Sequence, residues 1–125
     1  MRRTLFKSKI HGATLTGTDL HYEGSIALDR DLMEAADLLP AERVQVLNVS
    51  TGSRLETYVI EAPAGSGDVR LNGPAAREGQ PGDRVIVVSY ADYDEVEARD
   101  HRPTVVRVDE DNRPRGGRLR TEAGG

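Results

Sequence analysis

A mainly β fold, a closed or nearly closed barrel of six or seven short strands with small helices, is what this sequence predicts. Short runs of alternating apolar and polar residues, each bounded by Gly, Pro or Asn, recur through most of the chain. Helical patterning is confined to two short stretches, and one β-branched run, Arg84 to Tyr90, has the look of a strand buried on both faces. With too little helix to cover a sheet, strands of this length bury their apolar faces by curling on themselves.

Thr4 to Thr16 alternates Leu5, Lys7 and Lys9 against Phe6, Ser8 and Ile10 and reads as a strand, with Gly12 and Gly17 as bends or bulges. Asp29 to Leu39 is a short amphipathic helix, N-capped by Asp29 and stopped by Pro40. Arg43 to Val49 and Leu55 to Ala62, joined by Ser50-Thr51-Gly52-Ser53, form a hairpin. Val69 to Leu71 is a short strand ending in the tight-turn pair Asn72-Gly73, and Pro81-Gly82-Asp83 turns the chain into the Arg84 to Tyr90 strand. Asp92 to Asp100 predicts one or two helical turns, and Thr104 to Val108 a last strand. From Asp109 the composition turns charged and Gly-rich, so a single domain over residues 1–110 is followed by an expected disordered tail over 111–125.

The composition removes several function classes. A length of 125 residues allows one core. A net charge of −4 argues against a general nucleic-acid binder, and the arginines of Arg113 to Arg120, scattered among Gly and Pro, suit solubility better than a phosphate footprint. Without Cys there is no disulfide, thiolate nucleophile or Cys-based metal site, and three scattered histidines do not make a metal set. No apolar run approaches membrane-spanning length, and Arg2-Arg3 is not followed by the apolar core of a signal peptide, so the expected address is cytoplasmic.

Four segments carry the chemistry: Lys9-Ile10-His11, Leu20-His21-Tyr22-Glu23-Gly24-Ser25, Arg54-Leu55-Glu56-Thr57-Tyr58 and Asn72-Gly73-Pro74-Ala75-Ala76. At these intervals they resemble the pyruvoyl-dependent aspartate 1-decarboxylases, small bacterial enzymes that make β-alanine, and the resemblance runs from about Met1 to Val108. It implies a double-psi β-barrel, and a chain that cuts itself between Gly24 and Ser25. The Ser25 hydroxyl lies next to the Gly24 carbonyl, and attack there converts the amide to an ester. Loss of the Ser25 α-proton then expels Gly24 as a carboxylate, and hydrolysis of the resulting dehydroalanine leaves a pyruvoyl group at position 25 and releases ammonia. By match to the family pattern, Thr57 stabilises the oxyanion of that rearrangement and also touches substrate.

Decarboxylating an amino acid needs an electron sink, and ordinary side chains offer none. The resemblance supplies it as the covalent pyruvoyl group, which forms a Schiff base with L-aspartate and releases CO2 and β-alanine for pantothenate and coenzyme A synthesis. Arg54 is the family match for a carboxylate-binding cation, with Lys9 the second; the sequence does not assign which carboxylate each meets. Tyr58 is the matching proton donor. Asn72 contacts the pyruvoyl region, and Gly73, Pro74 and Ala75 approach the substrate, although Pro74 deletes a backbone donor that the family's Ala supplies. Strand alternation places Arg54, Glu56 and Tyr58 on one face and Thr57 on the other, in tension with a shared site. The family assembles as a tetramer of cleaved chains, a hetero-octamer of α and β fragments, with active sites between neighbouring subunits.

Two rival readings stand beside this one. In the first, a non-enzymatic β-barrel binds a small anion or a protein partner and keeps the Gly24–Ser25 bond. In the second, Ser25 serves a hydrolase with His21 or His11 as base, a poor fit because no Gly-x-Ser-x-Gly elbow is present.

Overall fold

The computed structural model describes residues 1–115 and 119–120. Among these, nine strands join in the order β2-β6-β3-β5-β4-β7-β1-β8-β9. They are β1 (Arg3–Thr14), β2 (Gly17–Asp19), β3 (Ser25–Asp29), β4 (Arg43–Asn48), β5 (Arg54–Ala62), β6 (Val69–Asn72), β7 (Arg84–Tyr93), β8 (Thr104–Arg107) and β9 (Leu119–Arg120). Two short helices, α1 (Arg30–Ala35) and α2 (Glu95–Asp100), and a 3-10 helix (Gly73–Glu78) complete the chain. The protein is β-rich with short helices, as its sequence predicts, but the nine described strands exceed the six or seven expected, because β2 and β9 are too short and β3 too uniformly buried to show alternation. No described helix is long and apolar enough to cross a membrane.

Alternation along the strands builds the core. Ile10 on β1, Val44 and Val46 on β4, Val59 on β5 and Val85 and Val87 on β7 are all buried and meet Ile26 and Leu28 of β3. β7 lies between β4 and β1, antiparallel to both, which explains its apolar run. β4 and β5 form the expected antiparallel hairpin. The parallel pairs β1–β8, β2–β6 and β3–β5 give the sheet its mixed character.

Gly12 is a bulge, at φ +81° where the β1–β7 register slips between His11 and Ala13. A second slip, between Phe6 and Ser8, has no glycine to announce it. Gly17 is not a bend: it opens β2, paired with Arg70.

Helix α1 ends before Pro40. The Leu38 N–H returns to the Met33 carbonyl at 2.8 Å and the Asp37 N–H to Glu34 at 3.3 Å, with Asp37 at φ +55°. This Schellman closure buries Leu38 and stops the helix at Ala35. The Asp29 side chain caps α1 through the Asp31 N–H and also accepts from the Gly65 and Gly67 amides, so one carboxylate ties β3, α1 and the 65–67 loop together. Helix α2 starts on a capping box between Asp94 and Glu97, and β7 runs on through Asp92 and Tyr93, where helical turns are expected from Asp92.

The expected tail from 111 differs in its first residues. Asn112 is buried, with φ +61°; it accepts from the Thr14 N–H at 2.8 Å and donates to the Thr14 and Gly67 carbonyls at 2.8 and 2.9 Å. A polar side chain in a charged, Gly-rich stretch gave no periodic signal of this anchoring. The rest of the expected tail, residues 116–118 and 121–125, lies outside the described residues.

Candidate active site

The site forms where two parallel strands start at different heights. β3 begins at Ser25 and pairs with β5 from Ile26 opposite Val59 onward. Residues 54–58 of β5 therefore run on past the start of β3, bonded only to β4. The chain before Ser25 leaves the sheet as an exposed loop, with Tyr22 half exposed, while the 3-10 helix closes the far side. Between them lies a cavity of about 430 Å³ lined by Gly24, Leu55, Glu56, Thr57, Tyr58, Pro74, Ala75 and Glu78.

This open edge resolves the tension over Thr57. Thr57 points to the interior side of β5 and Tyr58 to the outer side, yet with no neighbour along that edge both reach the same cavity. The Thr57 hydroxyl has no hydrogen-bond partner among the described residues, so it is available to a ligand.

Ser25 is fully buried beneath the cavity. Its Oγ donates to the Glu23 carbonyl at 3.0 Å and accepts from Asn72 Nδ2 at 3.1 Å. Backbone pairing of Ser25 with Asn72 across β3 and β6 sets this contact, so two strands rather than a flexible loop hold the hydroxyl. Neither partner is a base. His21 lies on the exposed loop, where its N–H bonds Asp19, and His11 sits on β1 with burial, Arg107 and Lys9 holding its imidazole below the ordinary value. No Ser–His pair exists here, which removes the geometric support for a hydrolase.

Gly73 and Pro74 pack on the segment before Ser25. Pro74 occupies the first turn of the 3-10 helix, where a backbone N–H would have no intrahelical acceptor, so the missing donor costs the helix nothing. Asn72-Gly73 is therefore a strand-to-helix junction and not the expected tight turn.

Lys9 and Arg54 stand apart from the cavity lining. Lys9 lies on the outer face of β1 among Phe6, Leu47, Ile86, Val88 and Tyr90, with its ammonium 5.2 Å from the Phe6 ring centroid. Pairing runs from Lys9 through Val88 and Gln45 to Glu56, so three strand spacings, roughly 14 Å, separate Lys9 from β5. Arg54 is exposed opposite Leu47, one residue pair from Glu56 on the same face. Neither cation is in an ion pair among the described residues. Glu56, which lines the cavity, is paired instead with Arg43 at 3.6 Å.

Sequence reasoning missed Leu55, Glu56 and Glu78 as lining residues. Glu78 had no signal: it enters through the 3-10 helix, where the sequence suggested only a turn.

The family profile described as "Aspartate decarboxylase" matches residues 1–115. The chain belongs to this family. It is 54% identical to the aspartate 1-decarboxylase of Heliobacterium modesticaldum over 124 residues, covering 99% of this chain and 94% of the relative. It is 56% identical to that of Maricaulis maris over 113 residues, 90% of this chain and 93% of the relative. Against the Pelotomaculum thermopropionicum enzyme the identity is 59% over 110 residues, 88% and 83% of the two chains.

Proposed function

We propose that this protein is made as one polypeptide, cuts itself between Gly24 and Ser25, and decarboxylates L-aspartate to β-alanine and CO2, supplying β-alanine for pantothenate synthesis. Family membership gives the reaction. The observation that carries the site is a fully buried Ser25 hydroxyl, gripped by Asn72, beneath a cavity that Gly24, Thr57 and Tyr58 share.

In the uncut chain, Asn72 and Glu23 fix the Ser25 Oγ beside the bond to be cut. Oγ attacks the Gly24 carbonyl carbon, and the free Thr57 hydroxyl meets the oxyanion that develops. The residues present fit a pyruvoyl group at position 25, because that position is closed to bulk water while its neighbour Gly24 opens onto the cavity. Such a group supplies an electrophilic carbonyl for the substrate amine and a sink for the electron pair left when CO2 departs. The chain's own side chains do the rest. Arg54 and Lys9 hold carboxylate, Gly73, Pro74 and Ala75 shape the wall against the substrate, and Tyr58 delivers the proton that replaces CO2.

The placement of Lys9 bears on assembly. Its distance from β5 within one protomer suits a site completed by a second copy, docked on the outer face that carries Phe6, Leu47, Ile86 and Tyr90. The homotetramer of cleaved chains and the double-psi closure of the barrel over residues 1–110 belong to this same proposal.

Intact mass spectrometry of the denatured protein tests it first. Two fragments meeting at Gly24/Ser25, the second lighter by one ammonia than a free-Ser chain, together with β-alanine release from L-aspartate, support the reading. An intact chain that releases no CO2 from aspartate overturns it in favour of a barrel that only binds.

A further inference from the structure

We infer that Gly73 is a positioning residue for self-cleavage: its bare backbone is the platform on which the scissile segment is seated, an inference that rests on the self-processing reading above. A Cβ on Gly73 would stand 2.7 Å from the Gly24 nitrogen and 2.8 Å from both the Gly24 Cα and the Tyr22 carbonyl oxygen. Contacts that short occur only when the residue lacks a side chain, so the Gly73 Cα lies flush against the backbone about to be cut. The same glycine is at φ +64°, the left-handed region that lets the chain leave β6 and enter the 3-10 helix. Gly24 itself is less constrained, because a Cβ there would meet only the Pro74 Cδ, at 3.4 Å.

One dipeptide thus holds both reacting partners. Asn72 fixes the nucleophile through its side chain, and Gly73 fixes the bond under attack through its backbone. In the step concerned, Ser25 Oγ bonds the Gly24 carbonyl carbon, the Gly24–Ser25 C–N bond breaks, and the hydroxyl proton ends on the freed Ser25 amine. Its rate depends on the approach of Oγ to that carbon, and a displacement of about 1 Å costs on the order of a hundredfold. A side chain at 73 forces such a displacement. The side that yields is the exposed 20–24 loop, because Asn72 and Gly73 are anchored by β6 pairing and burial.

The test compares wild type, Gly73→Ala, Gly73→Asn and Gly82→Ala as freshly purified chains. Gly82 is also left-handed, at φ +95°, but a Cβ there has nothing within 4 Å, so Gly82→Ala imposes backbone strain without a close contact. Asn visits the left-handed region readily, so Gly73→Asn keeps the close contact and relieves the strain. Cleavage is followed by intact mass over time. Neutral hydroxylamine on the folded chain, scored by mass only for cutting at Gly24/Ser25 because Asn72-Gly73 is itself a hydroxylamine-labile amide in wild type, reports how much chain has passed the acyl shift, and a thermal melt reports the fold. Both Gly73 variants are expected to melt cooperatively, to cleave on the order of a hundredfold more slowly, and to lose the hydroxylamine-sensitive fraction; Gly82→Ala cleaves at the wild-type rate. If wild type cleaves and the Gly73 variants keep pace with it, the inference is overturned while self-processing stands. Loss of the cooperative melt in both Gly73 variants also overturns it, because the strain then falls on the sheet and not on the loop. A wild-type chain that never cleaves removes self-processing, and this inference with it.

Discussion

Asn72 donates a hydrogen bond to Ser25 Oγ at 3.1 Å across two backbone-paired strands, and among the described residues nothing basic bonds that hydroxyl. On the self-processing reading, the Ser25 nucleophile is therefore held by geometry and not activated by a base. Replacing Asn72 by Ala removes one neutral hydrogen bond, worth about 1 kcal/mol, and frees the hydroxyl to rotate. Cleavage at Gly24/Ser25 is expected to slow by roughly fivefold with the fold retained. A time course by intact mass checks this, and an unchanged rate would show that backbone pairing alone positions Ser25.

Thr57 shares the cavity with Gly24 and has a hydroxyl without a hydrogen-bond partner among the described residues. As oxyanion donor it is worth about 10²–10³ in rate, so Thr57→Val, which keeps the shape and loses the hydroxyl, should leave most of the chain uncut. Thr57→Ser should cleave normally. Equal cleavage by the two would exclude Thr57 from the rearrangement.

Tyr58 should act only after cleavage. Tyr58→Phe is expected to process at the wild-type rate and to lose about 10²–10⁴ in kcat as a proton donor, and Arg54→Ala should raise KM for aspartate by roughly ten- to hundredfold through a lost charge-assisted contact. Steady-state β-alanine formation by fully cleaved samples checks both. A processing defect in Tyr58→Phe would move that residue to the earlier chemistry.

How far the sequence carried this picture depends on what kind of signal each part had. The β4–β5 hairpin and β7 were legible because alternation and β-branched runs report directly on burial. The short β2, with three residues, carries too little pattern to be recognised. β3 hid for a different reason: all five of its residues are buried, so Ser25 to Asp29 shows no alternation. The site residues came from motif resemblance, and alternation correctly put Thr57 and Tyr58 on opposite faces. It failed to show that both reach one cavity, because that depends on where a strand distant in sequence begins. Long-range contacts also explain Asn112, whose partners lie 98 and 45 residues away.

Away from the cavity, Glu42 contributes stability that acid removes. Burial pushes its carboxyl up, but hydrogen bonds from Lys7, Ser89 and the Leu39 amide and the Lys7 charge outweigh that and hold it below its ordinary value of 4.5. Because the folded value is the lower one, the stabilisation is complete above the unfolded value and is lost as pH falls through the folded one. Glu42→Gln should therefore melt lower than wild type at pH 7 and fall less steeply below pH 4.5, the two curves converging in acid. Parallel curves of melting temperature against pH would assign that acid-sensitive stability to another carboxylate.

Asn112 gives the most direct test of whether the chain beyond residue 110 belongs to the folded unit. Its amide satisfies the Thr14 backbone on both sides and the Gly67 carbonyl, and Gly67 in turn donates to Asp29 at the end of the strand that begins with Ser25. Asn112→Ala would leave those backbone groups unpaired in a buried place and impose a left-handed φ on a residue that resists it. The expected cost is about 2 kcal/mol or more, a fall in melting temperature of roughly 5–10 °C. Truncation after Val108 should cost at least as much, since it removes the same bonds together with the Val108–Pro114 bridge. A truncated chain as stable as wild type would return residues 109–115 to the status of a tail, and calorimetry of the three proteins decides between the two.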